Sequence, residues 1–169
     1  MRDLGELLYT STEIDAFVTK LALRLNKDYK KRVPILVGVL NGSFYFVADL
    51  TRKLTFVHDI GFADVRSYKD NKSTGVAELK HLNASVEGRS VLIIEDIIDS
   101  GVTIKYLKEF LLDLKAKEVK VCTLLNRCST FKADYVGVEV ETKKFLVGYG
   151  LDLDNQFRNL PYIMACGGS

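Results

Sequence analysis

A strand that is apolar along its whole length must be covered on both faces. This sequence holds such a run immediately before a cluster of polar residues: Val91–Thr103 reads VLIIEDIIDSGVT. Val91 to Ile94 carry no polar side chain, the pattern of a strand buried inside a parallel sheet rather than one with a wet face. Val91–Glu95 therefore predicts a buried strand. Ile104, Leu107, Leu111 and Leu114 then recur at helical spacing, so the segment reads as strand, loop and helix.

The same order repeats on either side. Thr10-x-x-Glu13 is a capping-box pattern, and Ile14, Phe17, Val18, Leu21 and Leu25 follow along one helical face. Pro34–Leu40 (PILVGVL) predicts a second buried strand, Asn41-Gly42-Ser43 breaks it, and Phe44–Leu54 resumes a helical pattern. Val57–Val65, Glu118–Leu125, Asp134–Val140 and Phe145–Tyr149 predict further strands. Arg66–Val76 is polar, contains a glycine and shows no apolar period, which predicts a long loop, with Glu78–Leu82 starting the strand that returns from it. Strands alternating with helices predict an α/β fold with a parallel central sheet flanked by helices and right-handed crossovers. Neither repeat nor linker divides the 169 residues, so one domain is expected. Ligands of such sheets sit beyond the carboxyl ends of the strands, which directs attention to residues just after Leu40, Glu95 and Leu125.

Charge narrows the partners. Lys and Arg number 24 against 22 for Asp and Glu, which gives no electrostatic case for nucleic acid or a membrane surface. No apolar run approaches the roughly 20 residues of a membrane span, and the first residues lack the apolar core of a secretory signal. Cys122, Cys128 and Cys166 form no CxxC pair, so free thiols in a reducing, cytoplasmic setting are expected. His58 and His81 stand in no metal-ligand spacing.

The chemistry gathers at Glu95-Asp96. Adjacent carboxylates at a strand end repel, so a hydrated magnesium ion, a sugar diol, or both should sit beside them. Asp99–Thr103 (DSGVT) places a glycine and two hydroxyls at a helix N-terminus, whose free N–H groups suit a phosphate monoester. Carboxylates for a sugar and a cradle for its phosphate, a few residues apart, describe a ribose 5-phosphate site. Taken singly, each piece has a plainer reading: acids after a strand often cap a helix, and Asp-Ser-Gly is a common turn.

VLIIEDIIDSGVT resembles the phosphoribosyl pyrophosphate signature of type I phosphoribosyltransferases, and its double isoleucine points to their hypoxanthine-guanine branch. LNGSFYF at 40–46, SYKDNKSTG at 67–75 and KFLVGYGLDLDNQFRNLPYI at 144–163 agree. The resemblance runs from Leu7 to Ile163. It implies the type I phosphoribosyltransferase fold, with a small hood built from the chain ends (C-terminal part about 144–169) and a lid over about 66–77.

The implied activity is transfer of the 5-phosphoribosyl group from phosphoribosyl pyrophosphate to N9 of a 6-oxopurine. By that resemblance Glu95 and Asp96 hold the ribose hydroxyls directly or through Mg2+, Asp99 exchanges a proton at purine N7, and Ser100, Gly101, Val102 and Thr103 cradle the 5-phosphate. Asn41 and Gly42 approach the pyrophosphate, through a cis peptide before Asn41, together with Ser67, Tyr68 of the lid and Arg158. Phe145 stacks on the base, Lys144 and Leu146 flank it and the backbone around Leu146 reads its edge, and Asp152 helps bind a second magnesium. The family's usual lysine beside the 6-oxo group falls on Arg127, a planar fork rather than a point charge. Self-association as a homodimer or homotetramer is also implied.

Two rivals remain at the level of sequence. A non-catalytic member of the fold, sensing phosphoribosyl pyrophosphate or nucleotides, would keep the phosphate cradle. A nucleotide-binding α/β module of another kind would not account for FLVGYGLD and FRNLPYI.

Overall fold

The apolar runs become the inner strands of one sheet. The computed structural model describes residues 5–68 and 76–167. Its elements are β1 (Glu6–Tyr9), α1 (Ser11–Asp28), β2 (Ile35–Leu40), α2 (Phe44–Thr51), β3 (Asp59–Tyr68), β4 (Val76–Leu82), β5 (Ser90–Ile98), α3 (Val102–Asp113), β6 (Glu118–Asn126), β7 (Tyr135–Glu139), β8 (Phe145–Val147) and β9 (Ile163–Cys166). Six strands form the main sheet in the order β4-β3-β2-β5-β6-β7. All its pairings are parallel except β3 with β4. The hood is a second, antiparallel sheet, β1-β9-β8, which joins the two ends of the chain.

Alternation along each strand feeds two cores. Leu36, Leu92, Ile94 and Leu124 lie in one core with Leu21 and Leu25 of α1 and Phe46 and Leu50 of α2. Val37, Ile93 and Val121 join the other with Ile104, Leu107 and Leu111 of α3. This is why the inner strands carry apolar residues at odd and even positions alike. The Thr10 hydroxyl accepts from the Glu13 amide while Glu13 accepts from the Thr10 backbone, so the expected capping box starts α1. Among the described residues no helix is long and apolar enough to cross a membrane.

Three of the boundaries that differ from the sequence expectations bear on the site. β5 does not stop at Glu95: Ile97 and Ile98 continue the ladder against Leu125 and Asn126, so the two acids lie inside the strand. β3 runs on to Tyr68, with Arg66, Ser67 and Tyr68 paired to Glu78, Ala77 and Val76. These residues are therefore a backbone-paired hairpin beyond the end of β2, not a loop. The centre of the expected lid, residues 69–75, lies outside the described residues. β8 ends at Val147, since Gly148 and Gly150 take φ of 98° and 99°, a backbone that no strand continues through.

Candidate active site

β2 and β5 end side by side, and a cavity of 340 Å³ opens beyond them, lined by Gly42, Glu95, Asp96, Asp99, Gly101 and Thr103 among others. Gly101, at φ 77°, turns the chain from β5 into α3. A Cβ there would lie 2.9 Å from the Cβ of Phe131, so space as well as conformation demands glycine. The Val102 amide is 3.4 Å from the Ser100 hydroxyl, and Thr103 follows in the first turn of α3. This open helix N-terminus faces the cavity, a setting suited to a phosphate.

Glu95 and Asp96 line the same cavity. Both are buried, and the Asp96 amide donates to Glu95 Oε1 at 3.2 Å. Burial, then the neighbouring Asp96 charge, pushes the Glu95 carboxyl well above its ordinary range. Burial also raises Asp96, against the pull of its hydrogen bonds and of the Arg158 charge. The Ile97 amide donates to Asp96 Oδ1 at 2.7 Å. Two adjacent buried carboxyls suit a divalent ion bringing further oxygen ligands from substrate and water, as magnesium does. Among the described residues no group of three or more His, Cys, Asp or Glu forms a ready metal cage, so any such ion would share its coordination with a ligand.

The turn after β2 is threaded through a narrow space. The Leu40–Asn41 peptide is cis, as the resemblance implies. A Cβ on Gly42 would fall 1.7 Å from Asp96 Oδ2, and one on Gly150 would fall 1.9 Å from the Gly42 carbonyl oxygen. Asp96, Gly42 and Gly150 are thus stacked in direct contact, which joins β5, the β2 turn and the hood at one point. Gly150 went unnoticed in the sequence, although the two glycines of Gly148-Tyr149-Gly150 were visible there. Arg158 donates to the Gly150 carbonyl at 2.7 Å and pairs with Asp152 at 2.8 Å, while Asp152 also accepts from the Asn155 amide. Asp152 and Arg158 therefore stand together at the hood end of the site.

On the other side, Arg127 follows β6 directly. Its Nε and Nη2 donate to the two carboxylate oxygens of Asp99 at 2.9 and 3.1 Å, and its Nη1 donates to the Lys144 carbonyl at 2.9 Å. The Lys144 ammonium turns away to Glu6, 2.7 Å off, so only its backbone faces this region. Phe145 opens β8 half exposed, whereas Leu146 is buried. Asn41 lies exposed beside Gly42. Ser67 and Tyr68 are placed by backbone pairing at the far end of β3.

Buried paired acids late in β5 and an open helix N-terminus, at one cavity of an α/β sheet, suit a sugar phosphate. Residues 7–154 match the phosphoribosyl transferase domain, and the chain belongs to that family. It is 44% identical to the hypoxanthine-guanine phosphoribosyltransferase of Bacillus subtilis (strain 168) over 167 residues, 95% of this chain and 92% of the relative. Its fold superposes on a hypoxanthine phosphoribosyltransferase of Staphylococcus aureus with a TM-score of 0.90 at 38% identity, covering 98% of this chain and 92% of that one. A hypoxanthine-guanine phosphoribosyltransferase of Bacillus anthracis gives 0.89 at 34% identity, over 96% and 99% of the two chains.

Proposed function

We propose that this chain is a purine-salvage enzyme that transfers the 5-phosphoribosyl group from phosphoribosyl pyrophosphate to N9 of hypoxanthine or guanine, giving IMP or GMP and pyrophosphate. The observation that carries this assignment is the buried Glu95–Asp96 pair opening into the same cavity as the N-terminus of α3. Full-length similarity to hypoxanthine-guanine phosphoribosyltransferases supplies the nature of the base. The sensing role without catalysis is disfavoured, because Asp99 lines the cavity and the sequence retains Ser67, Tyr68 and Phe145.

The N9–C1′ bond forms as the C1′–O bond to pyrophosphate breaks, so positive charge grows on the sugar and negative charge on the leaving group. Glu95 and Asp96 would hold the ribose 2′- and 3′-hydroxyls, and Ser100, Gly101, Val102 and Thr103 the 5-phosphate through N–H and hydroxyl donors. Family members act on phosphoribosyl pyrophosphate with magnesium, which when bound would neutralise charge on the departing pyrophosphate, with Glu95, Asp96 and Asp152 as its protein ligands. Arg158, with Asn41, Gly42, Ser67 and Tyr68, would stabilise the same group. Asp99 would accept the purine proton through N7, which makes N9 the better nucleophile. Phe145 would stack on the base, flanked by Lys144 and Leu146, and Arg127 would donate to its 6-oxo oxygen.

The lid over 66–77, a single domain over 1–169, a homodimer or homotetramer, and a cytoplasmic setting belong to the same proposal. The last is supported by Cys122, Cys128 and Cys166, which are buried and form no disulfide among the described residues.

Incubation with magnesium, phosphoribosyl pyrophosphate and each of hypoxanthine, guanine, xanthine and adenine tests the activity. Nucleotide should form from hypoxanthine or guanine and not from adenine, whose 6-amino group would face a donor with a donor. Failure to form nucleotide from any base rejects the enzyme. In the same assay Asp99→Asn should lower kcat by about 10²-fold or more while leaving KM nearly unchanged; an unaltered kcat removes Asp99 as the proton acceptor.

A further inference from the structure

The Arg127 guanidinium has five N–H donors, and the structure commits four of them. Nε and one Nη2 hydrogen grip both oxygens of Asp99, at 2.9 and 3.1 Å. The Nη1 pair reaches the carbonyls of Lys144 at 2.9 Å and Thr142 at 3.4 Å. One Nη2 hydrogen remains, adjacent to an Asp99 oxygen that still has lone pairs to offer. Arg127 is itself nearly buried, at 16% side-chain exposure, whereas Asp99 is 58% exposed, so the fixed partner is the arginine. Its grip reaches two separate parts of the chain: the loop after β5 and the backbone leading into Phe145.

We propose that Arg127 is a positioning residue that ties Asp99 to the 142–144 backbone and so pre-assembles the base pocket. Granted the transferase activity, the unit offers a donor for the 6-oxo oxygen beside an acceptor for N7–H, and the peptide that delivers Phe145 is held by the same guanidinium. A lysine has three donors on a single nitrogen and no fixed fork. It supplies charge beside Asp99 without holding both carboxylate oxygens and both carbonyls. An arginine at this place, where the resemblance implies a lysine, therefore changes how the pocket is organised, beyond the charge it carries.

Two variants, Arg127→Met and Arg127→Lys, separate charge from clamp by steady-state kinetics and by amide hydrogen exchange over residues 142–146 of the ligand-free protein. Arg127→Met should raise the purine KM about tenfold or more, lower kcat, leave the phosphoribosyl pyrophosphate KM within about twofold, and speed exchange over 142–146. Arg127→Lys should recover kcat but neither the purine KM nor the exchange protection. Full recovery of KM and protection by lysine would show that a point charge suffices and overturn the clamp. Unchanged exchange in Arg127→Met would overturn the tie to the 142–144 backbone. The exchange experiment needs no turnover, so it tests the clamp even if the chain proves to transfer to no base.

Discussion

Glu95 sits where a carboxyl is least comfortable, buried beside a second acid. In the folded chain, burial and the Asp96 charge hold its proton to higher pH than in the unfolded chain. The native state then binds more protons than the unfolded state above the ordinary carboxylate range, so stability falls as pH rises through that range. Removing the ionisation should remove the fall. Glu95→Gln, nearly the same shape, should melt above the parent at pH 8 in metal-free buffer, and the difference should shrink towards pH 4, where the parent carboxyl is largely protonated in both states. A difference in melting temperature that does not change with pH would show that Glu95 does not carry the effect. The same variant should lose most of its transferase activity, since the amide has given up the charge proposed to hold a cation. Stability and activity would move in opposite directions, as at other strained functional groups.

Between elements, the site depends on how closely backbones approach. Gly42 lies between Asp96 and Gly150, and an alanine there would put Cβ 1.7 Å from Asp96 Oδ2. Asp96 is buried, so it has little room to swing aside. Gly42→Ala should cost about 1–3 kcal/mol of stability and lower kcat/KM about tenfold or more, because about 1.4 kcal/mol of misplacement at the reacting end is enough for that. Denaturant melts and steady-state kinetics read both effects, and a variant with parental kinetics would show that the Gly42–Asp96 contact is dispensable. The local grammar around this point was legible: the capping box, the apolar runs of β2 and β5 and the DSGVT turn each follow from side-chain pattern alone. What stayed hidden arises from pairing between distant segments. Ile97 and Ile98 extend β5 because Leu125 and Asn126 lie beside them, and β1 and β9 are four residues each, too short to show a period until they meet. Roles taken from resemblance named Asp99 and Arg127 separately, and only the fold puts one in the grip of the other.

At the scale of the molecule, the hood shares its packing with the sheet below it. Leu146, Tyr149, Ile163 and Ala165 belong to the same core as α1, α2, Leu36 and Leu92, although β8 and β9 pair only within their own small sheet. A three-stranded sheet of this size has too little apolar surface to stand alone, so hood and main sheet should unfold together. Ile163 tests this, being fully buried in β9 and paired in register with Tyr9 of β1. Ile163→Ala should cost about 2–5 kcal/mol through lost contacts and the cavity left behind. For a chain of this length that is a fall in melting temperature of roughly 5–15 °C. Calorimetry should still record one transition, shifted as a whole, because the damaged core is common to both sheets. A separate early transition, with the main melt left in place, would mean that the hood is an independent unit resting on the sheet. Joint unfolding has a functional side. Gly150 of the hood meets Gly42 beside Asp96 and accepts from Arg158, so the shared core keeps the hood's proposed pyrophosphate-binding and metal-binding groups in register with Glu95, Asp96 and Asp99 of the main sheet.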